Sequence, residues 1–251
     1  MIQKTHKQEF MKHLVKLGLK KGQKIVLHAN LATFGISSET FPNFVVKSIL
    51  KKIGKTGSLI MPLYNLNLDP SINYNKKKIY NVRAISNIYK EYFKYKKLNI
   101  SNSYIHRHFG TGDATKFLEK GKVYLSIGKN SDFEEFFKRD FSLILLGCEP
   151  GEGATYLHHL EALKKVPYRK WILLERKIKG KKLKIKINYF ARKSSNYAEN
   201  FNEVFNNIMF KNKLKKIKNK YGYSYIIKFK DLHEIGIKIL KKNIYGFVKK
   251  K

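Results

Sequence analysis

His158 and Glu161 stand three residues apart in FSLILLGCEPGEGATYLHHLEAL, residues 141–163. A helix after the Gly-rich turn would put both side chains on one face. An imidazole near a helix N-terminus meets the positive end of the dipole, which favours its neutral form. Neutral imidazole can take a proton, and a carboxylate beside it fixes the tautomer and stabilises the imidazolium that results. General-base chemistry is one reading of the pair. An ordinary His–Glu contact on a helix surface is the other, and spacing alone leaves both open. Thr155 stands where an N-cap belongs, while His159 points to a different face and reads as packing or solvated. Cys148, the single cysteine, ends a buried strand and has no obvious base beside it, which makes it a poor nucleophile.

Two other segments carry polar groups in suggestive places. His28-Ala-Asn-Leu-Ala-Thr-Phe-Gly35 follows an apolar run directly. Its small residues let backbone N–H groups approach an anion. The common nucleotide loops GxxxxGK[ST] and GxGxxG are absent. Ser101–Ala114 (SNSYIHRHFGTGDA) holds His106, Arg107 and His108 before a Gly-containing turn. His-x-His invites a metal, but a single short segment without clustered partners does not make a site, so none is expected.

The elements that must position these groups read as α/β. Residues 5–18 and 41–53 have helical apolar spacing, and KIVL (24–27), SLIM (58–61) and FSLILLG (141–147) are short apolar strands. Strands apolar throughout and separated by helices imply a mixed, largely buried central sheet flanked by helices. A helix is expected over about 154–165, and a hairpin from 171–178 and 182–189 around Lys179-Gly180. Helices over about 197–219 and 231–243 enclose the strand YSYIIKF (223–229). The stretch 65–110 is irregular and Asn- and Tyr-rich. Residues 1–251 read as one α/β domain, or two tightly joined lobes.

Composition bounds the class. The chain carries 53 Lys and Arg against 18 Asp and Glu, a formal charge of +35. A lysine-coated surface is the plain reading; a positive field that concentrates anionic ligands is the functional one. The basic runs come with no nucleic-acid motif, so a nucleic-acid partner is not expected. No apolar run approaches the ~18 residues of a membrane span, and MIQKTHKQEFMKHL lacks a signal-peptide core. A cytoplasmic location is expected.

Taken in order, these segments resemble the aminoglycoside 3-N-acetyltransferase family. Its helix, Leu-Gly, strand and His-Ser-Ser-Leu-Ser-Ser-Leu-Gly loop are paralleled by LVKLGLKKGQKIVLHANLATFG. Its Met-Pro-Thr-Phe-Thr is paralleled by Met61-Pro-Leu-Tyr-Asn65, and its Asp-x-x-x-x-Gly helix by Asp231-Leu-His-Glu-Ile-Gly236. The most specific match sets Thr155, His158 and Glu161 on the Thr, His and Glu of the family's late motif. The middle motif departs: no Arg precedes Ser101, no Pro follows, and His106 matches its histidine loosely.

The resemblance implies direct acetyl transfer from acetyl-CoA to an amine, without an acyl-enzyme. His158 would be the base, Glu161 its partner, and Thr155 an oxyanion donor. The loop Asn30, Leu31, Ala32, Thr33, Phe34 and Gly35 would bind the cosubstrate through its amides, with His106 beside it. The excess of bases points to an anionic, nucleotide-linked amino sugar of glycan biosynthesis as acceptor. An aminoglycoside antibiotic, as in resistance, is the alternative, and a non-enzymatic polyanion-binding protein is the rival class. A homodimer is compatible with this reading.

Overall fold

The computed structural model describes residues 2–66, 98–121, 124–177 and 184–251. Most of the Asn- and Tyr-rich stretch and the expected Lys179-Gly180 turn lie outside the described residues. The chain opens with α1 (Lys4–Leu17), β1 (Lys24–Ala29), a 3-10 turn (Leu31–Phe34), α2 (Phe41–Ile53) and β2 (Ser58–Pro62). There follow β3 (Asn99–Ile100), β4 (His108–Thr111), a 3-10 segment (Asp113–Lys120), α3 (Asp132–Lys138) and β5 (Ser142–Leu146). Next come α4 (Pro150–Gly153), α5 (Tyr156–Lys164), β6 (Arg169–Lys177), β7 (Lys184–Arg192) and β8 (Tyr197–Glu199). The chain closes with α6 (Phe201–Phe210), β9 (Leu214–Lys218), β10 (Tyr223–Lys228), α7 (Phe229–Lys242) and β11 (Val248–Lys250).

The central sheet has seven strands in the order β3-β4-β2-β1-β5-β10-β9. β1 runs parallel to β2 and β5, whereas β4 and β10 join antiparallel, so the sheet is mixed, as its apolar strands imply. Alternation along β1 divides the core. Ile25, Leu27 and Ala29 pack with α1 and α2 on one face, and Val26 packs with α3, α5, α6 and α7 on the other. His28 shares the parity of Val26, so it faces the second layer.

Two glycines set the positions that matter for the site. Gly236 of α7 lies against α5, where a Cβ would collide with Leu160, so the two helices approach closely and α5 is held against the sheet. Gly147, at φ 69°, ends β5 beneath the 3-10 turn, and a side chain there would strike Thr33 and the Asn30 carbonyl.

Three expectations are corrected. The basic run 211–220 does not continue a helix: α6 stops at Phe210, Asn212 takes φ 55°, and Leu214–Lys218 becomes the edge strand β9 paired with β10. Asn tolerates that left-handed conformation better than most residues, and Leu214 then reaches the core. The hairpin arms are Arg169–Lys177 and Lys184–Arg192, two and three residues longer at the outer ends than the apolar pattern suggests. Thr155 precedes α5 but makes no cap with its side chain, because its own φ and ψ (−53°, −23°) are already helical. The capping box lies upstream, where Glu149 and Glu152 close the first turn of α4.

Candidate active site

α5 brings His158 and Glu161 together as their spacing implies. His158 Nδ1 lies 2.6 Å from Glu161 Oε2. A carboxylate only accepts, so Nδ1 carries a proton. The two side chains differ in exposure: Glu161 is 0 % exposed and His158 19 %. The buried carboxylate is fully engaged. The Tyr168 hydroxyl donates to Oε1 at 2.9 Å, and Arg169 Nε lies 2.8 Å from Oε2. Burial works to raise the Glu161 pKa, yet the His158 and Arg169 charges and the hydrogen bonds from His158 and Tyr168 outweigh it. The carboxyl ends below its ordinary value and stays ionised.

The other face of the imidazole meets a second carboxylate. Glu199 Oε1 lies 3.5 Å from His158 Nε2 and is 27 % exposed. Arg169 Nη2 reaches it at 3.0 Å and Arg192 Nη2 at 2.7 Å. A protonated His158 therefore has a carboxylate at each nitrogen, while two arginines balance the two acids. Phe201, its ring centroid 5.0 Å away, packs on the imidazole.

Beneath this group lies a buried polar floor. The Tyr64 hydroxyl interacts with the Thr155 side chain without a hydrogen bond of good geometry. Its ring stands edge-on to His106, 5.0 Å between centroids, and within 6.0 Å of His28 at the end of β1. His106 Nδ1 bonds to Ser126 Oγ, and His108 Nδ1 lies 2.9 Å from Asp132 Oδ2. Burial first, then neighbouring charges, lowers the pKa of His106 and of His28 to about 3. His159 is also buried, accepts the Gly128 N–H at Nδ1, and is likewise held at about 3, burial being the main cause. It is a packing residue. The Cys148 thiol is pushed up by burial and then by Glu152 and Glu149, which leaves it protonated and inert. Among the described residues no group of three His, Cys, Asp or Glu is placed to hold a metal ion.

The loop from Asn30 to Gly35 follows Ala29 directly, two residues beyond the His28 floor position. Thr33 Oγ1 donates to the Asn30 carbonyl at 2.8 Å, and the β9–β10 turn closes over it through Asn219 Nδ2 and the Tyr221 N–H. Phe34 turns into the layer of α1, beside Phe10. Next to Gly35 opens a cleft of about 850 Å³ bordered by Lys12, Lys16, Lys216, Lys218 and Lys220. His106 is not part of this loop; its contacts are Ser126, Tyr64 and Phe133, in the floor beneath His158.

Tyr168, Arg169, Arg192 and Glu199 are the site residues that sequence reasoning missed. They arrive on the hairpin and the short strand β8, with no local spacing that ties them to α5. The available signal was scarcity: in a chain with 18 acids, an isolated Glu in the first turn expected of the 197–219 helix invites a role.

No protein-family model matches the sequence, and no curated protein matches it. Solved structures do. Aminoglycoside acetyltransferase AAC(3)-IVa matches with a TM-score of 0.79 at 17% identity, over 96% of this chain and 90% of that one. The YokD protein of Bacillus subtilis matches at 0.78 and 20% identity, over 94% and 99%. AAC-VIa, solved bound to sisomicin, matches at 0.78 and 15% identity, over 94% and 97%. The chain has the mixed α/β fold of these proteins. Among the described residues no helix is long and apolar enough to cross a membrane.

Proposed function

We propose that this chain is an acetyl-CoA-dependent N-acetyltransferase acting on an amino group of an aminoglycoside-type amino sugar. The observation that carries the reading is His158, its Nδ1 held by buried Glu161 and its Nε2 turned toward a part-open space beside Glu199. The fold supports it, since similar structures are aminoglycoside acetyltransferases and one holds sisomicin.

In this reading Nε2 takes a proton from the acceptor ammonium, and the freed amine bonds to the thioester carbonyl carbon. The C–S bond then breaks, and the second N–H proton leaves with the sulfur as the CoA thiol. Glu161 and Glu199 stabilise the imidazolium formed, and the site's main contribution is orientation of the two reactants. Thr155, whose side chain meets the Tyr64 hydroxyl three residues before His158, would supply an oxyanion contact. The lysines of the cleft beside Gly35 suit the phosphates of acetyl-CoA, and Phe34 and Gly35, at the end of the Asn30–Gly35 loop, line it.

Local charge bears on the acceptor. At His158 two acids face two arginines, a local balance that the net charge does not describe. A cationic amino sugar is therefore compatible with the site despite the net charge. The second reading, an anionic nucleotide-linked amino sugar, rests on that net charge of +35. Thiol release from acetyl-CoA, measured with sisomicin, gentamicin and a nucleotide-linked amino sugar, tests both. Turnover of the first two supports the main reading, turnover of the third alone the second. No release with any amine overturns the transferase.

A further inference from the structure

Trp171 is the chain's one tryptophan, and 45 % of its surface is exposed. It stands on β6 two residues beyond Arg169, hence on the same face of the hairpin as the arginine that holds Glu161 and Glu199. In the ladder Arg169 faces Arg192 and Trp171 faces Phe190, the two rings 4.9 Å apart. One edge of the indole rests near Gly128, where a Cβ would lie 3.8 Å from Cζ2 and 3.9 Å from Ala162 Cβ. Both neighbours lead back to the site. Ala162 follows Glu161 on α5; Gly128 donates to His159 and lies two residues from Ser126, which holds His106. Leu173, 58 % exposed, extends the same face outward.

A large ring braced on one side and open on the other, two residues along the strand from the arginine that holds both site carboxylates, offers a ligand an apolar face. Resting on the transferase reading, we propose that Trp171 is the platform on which the acceptor's sugar ring lies while its reacting amine reaches His158. The apolar C–H face of a sugar buries indole surface, and an amino sugar's ammonium groups gain a cation–π contact within about 6 Å of the ring, for which tryptophan is the best partner. Trp171 touches the acceptor and not the reacting atoms, so it governs affinity and choice of acceptor.

Because the chain has one tryptophan, its emission reports this position alone. Titration with sisomicin, or with a nucleotide-linked amino sugar, is expected to change Trp171 emission saturably. Trp171→Ala is expected to raise the KM of the turned-over acceptor about tenfold, with a much smaller change in kcat and in the KM of acetyl-CoA. Trp171→Phe should recover most of the loss. Calorimetric affinity of the same probes for wild type and Trp171→Ala separates this proposal from the transferase: weakened binding supports the platform even where no acetyl transfer is found. Emission blind to both probes, or wild-type affinity and KM in Trp171→Ala, overturns it while leaving any measured transfer intact.

Discussion

Two groups of histidines meet in this molecule, and the chain treats them in opposite ways. His28, His106, His108 and His159 lie in an aromatic floor of Tyr64, Phe133 and Phe136, all four buried. Desolvation dominates at His28, His106 and His159, which are pushed to about 3, while His108 is paired with Asp132. His158 stands directly above, part-exposed, with a carboxylate at each ring nitrogen. The same side chain is thus a desolvated packing group at His28, His106 and His159 and a part-exposed, carboxylate-paired group at His158. What decides is not the histidine. It is whether acids and solvent reach it.

The sharpest way to break that contrast is to remove one member of each group. His158→Ala is expected to lower kcat by roughly 10²–10⁴-fold, the usual cost of losing a general base, with acetyl-CoA binding retained. His159→Ala should instead lower stability, since it opens a cavity and strands the Gly128 N–H. Equal losses of kcat from the two variants would erase the distinction. Next comes the effect of acid on the floor. His28, His106 and His159 hold folded pKa values near 3 against an ordinary 6.5. Below 6.5 the unfolded chain binds protons that the folded chain refuses. Stability is therefore full above pH 6.5 and is lost as pH falls toward 3, at up to about 1.4 kcal/mol per pH unit for each histidine. Urea unfolding at pH 7.5, 6 and 5 should show a fall of several kcal/mol; a flat profile would mean that the floor is open to water.

Glu161→Gln probes the upper layer more gently. Glu161 is ionised and held by His158, Tyr168 and Arg169, and a hydrogen bond to a charged group contributes about 1.5–3 kcal/mol. A roughly 10–100-fold fall in kcat follows if that contribution stabilises the imidazolium. Its depressed pKa places any stability effect at lower pH than the histidines: the contribution is present above about 4.5 and lost as pH falls through the lower folded value. A Gln variant with unchanged kcat would make Glu161 a structural partner only.

How far the sequence reveals this arrangement depends on how local each feature is. The β1, β2 and β5 strands are legible because they are apolar on both faces, and the His158–Glu161 pair because a helix fixes three-residue spacing. Arg169, Arg192 and Glu199 are not legible, because the antiparallel register that sets Arg169 opposite Arg192 is a long-range pairing. The basic run ending in β9 misleads for a related reason. Lysines accept helix and edge strand alike, and the choice falls to Asn212 and to pairing with β10. Thr155 shows the reverse case, a residue in the right place whose backbone is already helical and whose side chain makes no cap.

The smallest expected effect bears on the acceptor, and here sign matters more than size. The chain as a whole carries +35, while the charges around His158 are two acids and two arginines. Raising salt from 0.1 M to 1 M shortens the Debye length from ~10 Å to ~3 Å. The distant lysines are screened first, and the short pairs at Glu161 and Glu199 least. A polycationic acceptor such as sisomicin is repelled by the distant field and accepted by the local acids, so its KM should fall by a few-fold as salt rises. A nucleotide-linked amino sugar is drawn in by that field, so its KM should rise. Acetyl-CoA provides the internal reference, because the lysines of the cleft beside Gly35 lie at its proposed phosphate site and its KM should rise in either case. If sisomicin is turned over and its KM climbs with salt alongside that of acetyl-CoA, the acids at His158 dominate its approach from a distance and the screening argument fails. A KM for sisomicin that falls while that of acetyl-CoA rises would mean that one positive field acts on both substrates, repelling the polycation and drawing in the CoA phosphates, so that the carboxylates at His158 act on sisomicin only at short range.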